Sequence, residues 1–335
     1  MSYQSSLRAI GIEFDDPSLE ATVRDGLHVV ESTLKAAVRS EDEFVTDVAG
    51  YLVNAGGKRF RPLLALLAAQ FGKADSDGVI MSAVVCELTH LATLYHDDVM
   101  DEATVRRGTT AANTRWTNTI AILTGDFLFA RASDILADLG PEAVRIQARC
   151  FERLVTGQIR ETVGPKPGVE AVDHYLTVLA DKTGSLIATS AELGARFAGV
   201  DEQGVECLRH FGEQFGIAFQ ISDDILDIAS DTGQSGKTPG TDLREGVQTL
   251  PVLYALQATD PAGSRLRELI SKPLTDDDEH AEALALLRSS EAIEQAKQTM
   301  LQYAESARAT LGGLPEVPAK AALQALADLV VVRTG

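Results

Sequence analysis

Asp97-Asp98-Val99-Met100-Asp101 and Asp223-Asp224-Ile225-Leu226-Asp227 carry acids at the same spacing, i, i+1 and i+4. Each follows an apolar run with helical periodicity, Met81–Tyr95 and Phe215–Ser222. On an α-helix, side chains at i and i+4 lie a turn apart on one face, so each stretch aims two carboxylates at one point. Carboxylates grouped at the end of a buried helix repel one another and lose hydration. Hard divalent cations with oxygen ligands relieve both penalties, and Mg²⁺ usually brings a phosphate-bearing substrate with it. One such stretch has a plain alternative, a solvated acidic helix end. Two copies after two apolar helices favour metal.

Outward from these stretches the pattern stays helical. Leu19, Val23, Leu27, Val30 and Leu34 recur at threes and fours, predicting a surface helix from Pro17 to about Arg39. Helices follow over about 41–54, 63–71, 76–95, 113–139, 141–163, 173–197, 202–228, 281–311 and 320–332, and another restarts at Thr249-Leu250-Pro251. The helix over 173–197 is interrupted near Asp181-Lys182-Thr183-Gly184, where the glycine predicts a kink or a close backbone approach. Gly164–Gly168 and the Gly/Thr/Asp-rich 230–246 read as loops. The acidic run Asp276-Asp277-Asp278-Glu279 reads as a solvated helix start with Thr275 as its cap. No stretch shows sustained β alternation and no composition shift marks a boundary. Ten or more helices with short connections predict an all-α fold, one domain from 1 to 335 with a loose lead-in over 1–16.

The chain has 335 residues, 45% hydrophobic and 24% charged, and a formal net charge of −19. That charge, with no sustained Lys/Arg run, argues against a nucleic-acid partner. Cys86, Cys150 and Cys207 are odd in number and widely spaced, so they read as core residues of a reducing compartment. The first residues lack a secretory pattern and no stretch approaches about 18 uninterrupted apolar residues, so the expectation is a cytoplasmic protein without a transmembrane segment.

An acidic chain that handles anions needs local cations. Lys58-Arg59-Phe60-Arg61-Pro62 lies between a Gly-Gly turn and an apolar helix, so Lys58 and Arg61, three apart, form a candidate anion pocket. A solvated basic turn is the plainer reading of that cluster alone. Arg59 has the weakest claim within it and is expected to face solvent. Arg106-Arg107 lies within reach of the first acids. His90 divides evenly between a helix histidine and a ligand, and His96 reads as structural.

In this order, Gly57-Lys58-Arg59-Phe60-Arg61-Pro62, His90, Asp97–Asp101 with Arg106-Arg107-Gly108, Lys182-Thr183, Phe219–Asp227 and Gly236-Lys237, the chain resembles the trans-isoprenyl diphosphate synthases, or polyprenyl synthetases, over residues from about 50 to 255. The resemblance implies a helical bundle around a deep cavity, usually a homodimer. It implies Mg²⁺-dependent head-to-tail condensation of an allylic diphosphate with isopentenyl diphosphate, with about three ions per loaded site. It assigns Asp97, Asp101 and Asp223 to metal, with Asp98, Asp224 and Asp227 as further ligands or holders of metal-bound water. Arg106, Lys182 and Lys237 would contact the allylic diphosphate, and Lys58, Arg61, His90 and Arg107 the other diphosphate. Thr183 and Gln220 would turn oxygen dipoles toward the carbocation. The departing pyrophosphate can take the proton, so no protein base is required. One position departs from the family: Val247 stands where the run Glu245-Gly246-Val247-Gln248-Thr249-Leu250-Pro251 often carries a lysine.

A class I terpene cyclase shares the fold but binds one diphosphate, and has no use for Lys58, Arg61 and Arg107. A silent regulatory subunit would have lost acids or cations. For product length, no Phe, Tyr or Trp occurs from Gly72 to Leu94. Small side chains at Thr89, Ala92 and Thr93 leave a tail channel below Asp97 open, with Phe127 or Phe129 on the facing helix as its floor. The expectation is a medium- or long-chain product, over geranylgeranyl or farnesyl diphosphate, with transient membrane contact for its release.

Overall fold

The computed structural model describes residues 14–229, 239–259 and 263–334. They are almost wholly helical: α1 (Pro17–Ala37), α2 (Glu43–Asn54), α3 (Phe60–Ala69), α4 (Asp77–Met100), α5 (Ala112–Arg115), α6 (Asn118–Leu139), α7 (Pro141–Val163), α8 (Ala171–Leu179), α9 (Ser185–Phe197), α10 (Glu202–Ala229), α11 (Thr241–Glu245), α12 (Leu250–Gln257), α13 (Ser264–Ile270), α14 (Asp277–Arg288), α15 (Glu291–Thr310) and α16 (Pro318–Val332). A two-residue antiparallel hairpin, β1 (Val105–Arg106) and β2 (Thr109–Thr110), pairs Val105 with Thr110. The all-α expectation holds.

Contacts group the chain into two compact units, each drawn from three separate stretches. The first takes the described part of Met1–Glu152 with Leu186–Gly212 and Leu311–Ala325; the second takes Arg153–Ser185 and the described parts of Glu213–Thr310 and Leu326–Gly335.

In the first unit the stripe read from α1 is buried: Val23, Val30 and Leu34 have no exposed surface and Leu27 almost none. Each such side chain contributes about 1.5–3 kcal/mol. Asp16 accepts a hydrogen bond from the Leu19 amide and starts the helix. By length and composition α4 could cross a membrane, but 67% of its apolar window is buried within the protein. Its apolar content therefore builds the core. Tyr95, wholly buried, donates its hydroxyl to the Val48 carbonyl at 2.5 Å and accepts from the Leu52 amide at 3.2 Å, tying α4 to α2. At Gly125 a Cβ would lie 3.0 Å from the Ala92 carbonyl oxygen, so α4 and α6 touch backbone to backbone there.

In the second unit, Leu243, Val252, Leu269, Leu274, Ala283 and Leu287 form one apolar cluster.

Several boundaries differ from the sequence reading. The helix expected over 113–139 breaks at Trp116-Thr117: Trp116 packs edge-on against Tyr51 with ring centroids 5.0 Å apart, and Thr117 caps α6 by accepting from the Ile120 amide. The helix expected over 281–311 is two, α14 and α15, because the Ser289 and Ser290 hydroxyls bond back to the carbonyls of the last turn of α14. The cap of α14 is Asp276, which takes the Asp278 and Glu279 amides at 3.0 Å; its carboxylate outcompetes the Thr275 hydroxyl. The interruption near 181–184 is real, a π-helical turn over Ala180–Gly184.

Candidate active site

A cationic cluster occupies the first unit. The Gly56-Gly57 turn leads into Arg59, held at φ 51° just before α3. Its guanidinium, 6% exposed, donates to Glu31 at 2.8 Å, to Glu87 at 3.0 Å and to the Val53 carbonyl at 2.9 Å. Arg59 is thus the buried anchor of its cluster, contrary to the expectation that it faces solvent. Two carboxylates and a helix-end carbonyl offset its desolvation. Glu87, 1% exposed on α4, also lies 3.7 Å from Arg107.

Arg107 sits at φ 53° in the β1–β2 turn, and its Nη1 donates to the carbonyls of Leu52, at 3.0 Å, and of Gly56. A Cβ at Gly57 would meet that guanidinium at 2.9 Å, so only glycine lets Arg107 settle here. Arg61 differs from both. Its Nε is buried without a hydrogen-bond partner, and among the described residues no carboxylate pairs with it. His90 lies among these cations. Burial first, then Arg61, Arg107, Arg59 and Arg106, pushes its pKa well below the usual imidazole range, so it is neutral. Lys58 is exposed.

The sequence therefore brings together Arg61, His90 and Arg107 as expected, and missed Glu87. A buried acid inside an apolar helical run carries no motif of its own. Glu87→Ala is expected to cost about 3–5 kcal/mol by leaving buried cations undercompensated. Urea unfolding measures it; a loss below about 1 kcal/mol, the size of an exposed pair, would contradict this placement.

At the end of α4, Asp98 is wholly buried and accepts from Arg106 Nε at 2.5 Å. Its Oδ2 has no partner. Asp101 is exposed, 3.9 Å from Arg106 Nη2, and Asp97 is partly exposed one turn earlier. Asp97 and Asp101, a turn apart and accessible, are the oxygen donors that suit a hard cation such as Mg²⁺, while Asp98 is held by Arg106.

Below Asp97, within the same unit, a cavity of about 450 Å³ is lined by Thr89, His96, Phe129, Leu136, Val144, Gln147 and Phe151, among others. Thr89 faces it from α4 and accepts from Gln147 Nε2 at 2.7 Å. Phe129 packs against Phe151 at 4.3 Å between ring centroids and lies 5.9 Å from His96. His96 also donates to the Ile122 carbonyl at 3.1 Å, a structural bond as expected. Ala92 and Thr93 do not line the cavity: Ala92 is buried where α4 touches α6, and the Thr93 hydroxyl bonds to the His90 carbonyl. Of the two aromatic candidates on α6, Phe129 lines it and Phe127 does not. Phe151 was not legible in advance, since its register on α7 depends on how that helix packs.

In the second unit, Lys182 lies in the π turn and pairs with Glu161. The Thr183 hydroxyl donates to Gln220 Oε1 at 3.4 Å. Gln220 Nε2 donates to Asp224 Oδ1 at 3.1 Å, and the Tyr175 hydroxyl donates to Asp224 Oδ2. Burial above all pushes the Asp224 carboxyl up to about 8. Asp223 pairs with Arg333 at 2.9 Å, and Arg333 stacks on Phe219 with its guanidinium carbon 4.3 Å from the ring centre. Asp227 takes the Thr241 and Asp242 amides, at 3.3 and 3.1 Å. Val247 is exposed and supplies no cation. Lys237 lies outside the described residues. Tyr175 and Arg333 had no sequence signal, being single residues far from any motif.

A sequence model of the family described as polyprenyl synthetase matches residues 42–287. A nonaprenyl diphosphate synthase of Mycobacterium tuberculosis is 51% identical over 97% of this chain and 97% of its own. A dimethylallyltranstransferase of the same organism is 44% identical over 95% of this chain and 97% of its own. The crystal structure of a geranylgeranyl pyrophosphate synthase from Corynebacterium glutamicum, complexed with calcium and isoprenyl diphosphate, superposes with a TM-score of 0.88 at 47% identity, covering 97% of this chain and 100% of that one. The chain belongs to the polyprenyl synthetase family and is a transferase of prenyl groups, a polyprenyl diphosphate synthase.

Proposed function

We propose that this chain condenses isopentenyl diphosphate with an allylic diphosphate to give a medium- or long-chain all-trans polyprenyl diphosphate and pyrophosphate. The observation that carries the reading is Arg61, half-buried, with its Nε buried and lacking a hydrogen-bond partner, beside a neutral His90 and close to Arg107. A buried N–H without an acceptor is costly unless one arrives, and an anion supplies it. A cluster of this kind, apart from the acids, fits a second diphosphate, and a one-diphosphate cyclase has no use for it. Arg61, Arg107 and Lys58 hold isopentenyl diphosphate while His90, being neutral, donates one N–H without adding charge. Lys182 and Lys237 hold the allylic diphosphate.

Asp97 and Asp101 in the first stretch, and Asp223 in the second, hold Mg²⁺. When bound, the metal neutralises charge building on the departing pyrophosphate. Thr183 and Gln220 face the allylic carbon with oxygen dipoles. The apolar cavity beside Thr89 and Phe129 takes the growing tail. Its volume lies within the about 300–1,000 Å³ typical of small-ligand sites.

One synthase domain is the natural reading of a family match that runs unbroken through both units, neither of which is a single stretch of chain. We further place the enzyme in the cytoplasm as a homodimer. Exposed Ile122 and Leu123 on α6 and Val144 on α7 are apolar side chains that a second copy would cover. Transient membrane contact would discharge the apolar product.

A steady-state assay of the purified chain with Mg²⁺, labelled isopentenyl diphosphate and an allylic primer tests this directly; no incorporation of label would reject it. Arg61→Ala is expected to raise the KM for isopentenyl diphosphate about tenfold or more, with the allylic KM little changed. A rise confined to the allylic KM would mean that the pockets are exchanged.

A further inference from the structure

Asp224 is the second acid of the second stretch, and its surroundings are not those of an open metal ligand. It is 6% exposed, and each carboxylate oxygen already accepts a hydrogen bond, Oδ1 from Gln220 Nε2 at 3.1 Å and Oδ2 from the Tyr175 hydroxyl. Its neighbour Asp223, by contrast, is 45% exposed at the side chain. Two donors aimed at a buried carboxylate fix it in place as an acceptor.

That has a consequence for Gln220. An amide has one acceptor end and one donor end, and the carboxylate commits the nitrogen. The oxygen is then turned the other way, toward the Thr183 hydroxyl, which reaches it only weakly at 3.4 Å. Thr183 alone could not hold the amide this way round; the Asp224 carboxyl, itself fixed by Tyr175, can.

We propose that Tyr175 is a positioning residue: through Asp224 it fixes the Gln220 amide so that its oxygen, and not its N–H₂, faces the positive charge developing on the allylic carbon. The proposal rests on the reading of Thr183 and Gln220 given above. A preorganised oxygen dipole stabilises a carbocation; the same amide turned over presents N–H groups and opposes it. Asp224 accordingly serves the reaction through Gln220, and the open metal-holding acid of this stretch is Asp223.

The test compares Tyr175→Phe, Asp224→Asn and the double variant in the full chain. Four quantities are measured: kcat, both KM values, the half-saturating Mg²⁺ concentration, and calorimetric Mg²⁺-dependent binding of an allylic thiodiphosphate that does not ionise. The side-chain amide introduced by Asp224→Asn offers an N–H₂ as well as an oxygen, so the Gln220 amide is no longer held one way round. This substitution should therefore lower kcat by about 10²–10³-fold, with both KM values, the Mg²⁺ requirement and analogue binding within about twofold. Tyr175→Phe should lower kcat about tenfold by the same route, and the double variant should be no slower than Asp224→Asn alone, because both act through one amide.

A raised Mg²⁺ requirement with rescue by excess Mg²⁺, or weakened analogue binding, would make Asp224 a metal ligand and overturn the proposal. So would unchanged kcat, or additive losses in the double variant. Thermal unfolding checks that each variant folds; if Asp224→Asn does not, Tyr175→Phe decides by the same pattern of kcat against KM. Inactivity of the unmodified chain would instead strike the prenyl-transfer reading.

Discussion

Asp97→Ala should lower turnover by at least about 10²-fold at saturating Mg²⁺ while leaving the helical fold intact. The loss matches that of removing one preorganised group that meets charge in the transition state. The fold survives because Asp97 is partly exposed at the end of α4 and no part of the apolar core. Asp98→Ala makes the informative contrast. Asp98 is wholly buried and takes Arg106 at 2.5 Å, so its removal releases Arg106 and should lower stability as well as rate. Steady-state kinetics and circular dichroism separate the two. Near-normal activity of Asp97→Ala would end its assignment to metal.

Product length should respond to Phe129 and Thr89. Thr89 lies eight residues before Asp97, about 12 Å along α4, and a turn of about 5.4 Å is close to one isoprene unit. A ring at position 89 would break the bond to Gln147 and fill the cavity at that depth. Thr89→Phe should therefore shorten the product by several additions. Phe129→Ala removes one ring of the Phe129–Phe151 pair and should lengthen it by one or more. Ala92→Phe, at a position that the sequence places along the tail channel, should behave differently. Ala92 faces the tight α4–α6 contact, so a ring there overpacks the core, at about 1–3 kcal/mol, without entering the cavity. Chromatography of dephosphorylated products decides. An unchanged product from both Thr89→Phe and Phe129→Ala would dissociate this cavity from the tail.

The parts of the fold legible in the sequence were those set by periodicity and local chemistry. The α1 stripe, the glycine turn before Arg59 and the break near Gly184 all follow from rules that act within a turn or two of chain. The acids were legible because their spacing repeats, and the cations through the order of motifs that the chain shares with a known family. What was hidden depends on contacts distant in sequence. Arg59 looked like the dispensable member of a basic turn, and only Glu31 and Glu87, each 28 residues away, make it the anchor. Tyr175 meets Asp224 across 49 residues and Arg333 lies 111 from Ser222, separations at which pattern carries no information. Ala92 and Thr89 are neighbours on one helix, yet which of them faces the cavity is decided by the seating of α6.

The π turn over Ala180–Gly184 places Lys182 and Thr183 by carrying more residues per turn than the α-helices on either side. Deleting a single residue there would give one unbroken α-helix from Ala171 to Phe197, with better local hydrogen bonding but without the widened turn that carries Lys182 and Thr183. Selection for thermostability alone would reward that shortening, and laboratory evolution run without an activity screen would drift toward it. On the roles proposed for Lys182 and Thr183, a better helix at this spot would be a poorer catalyst.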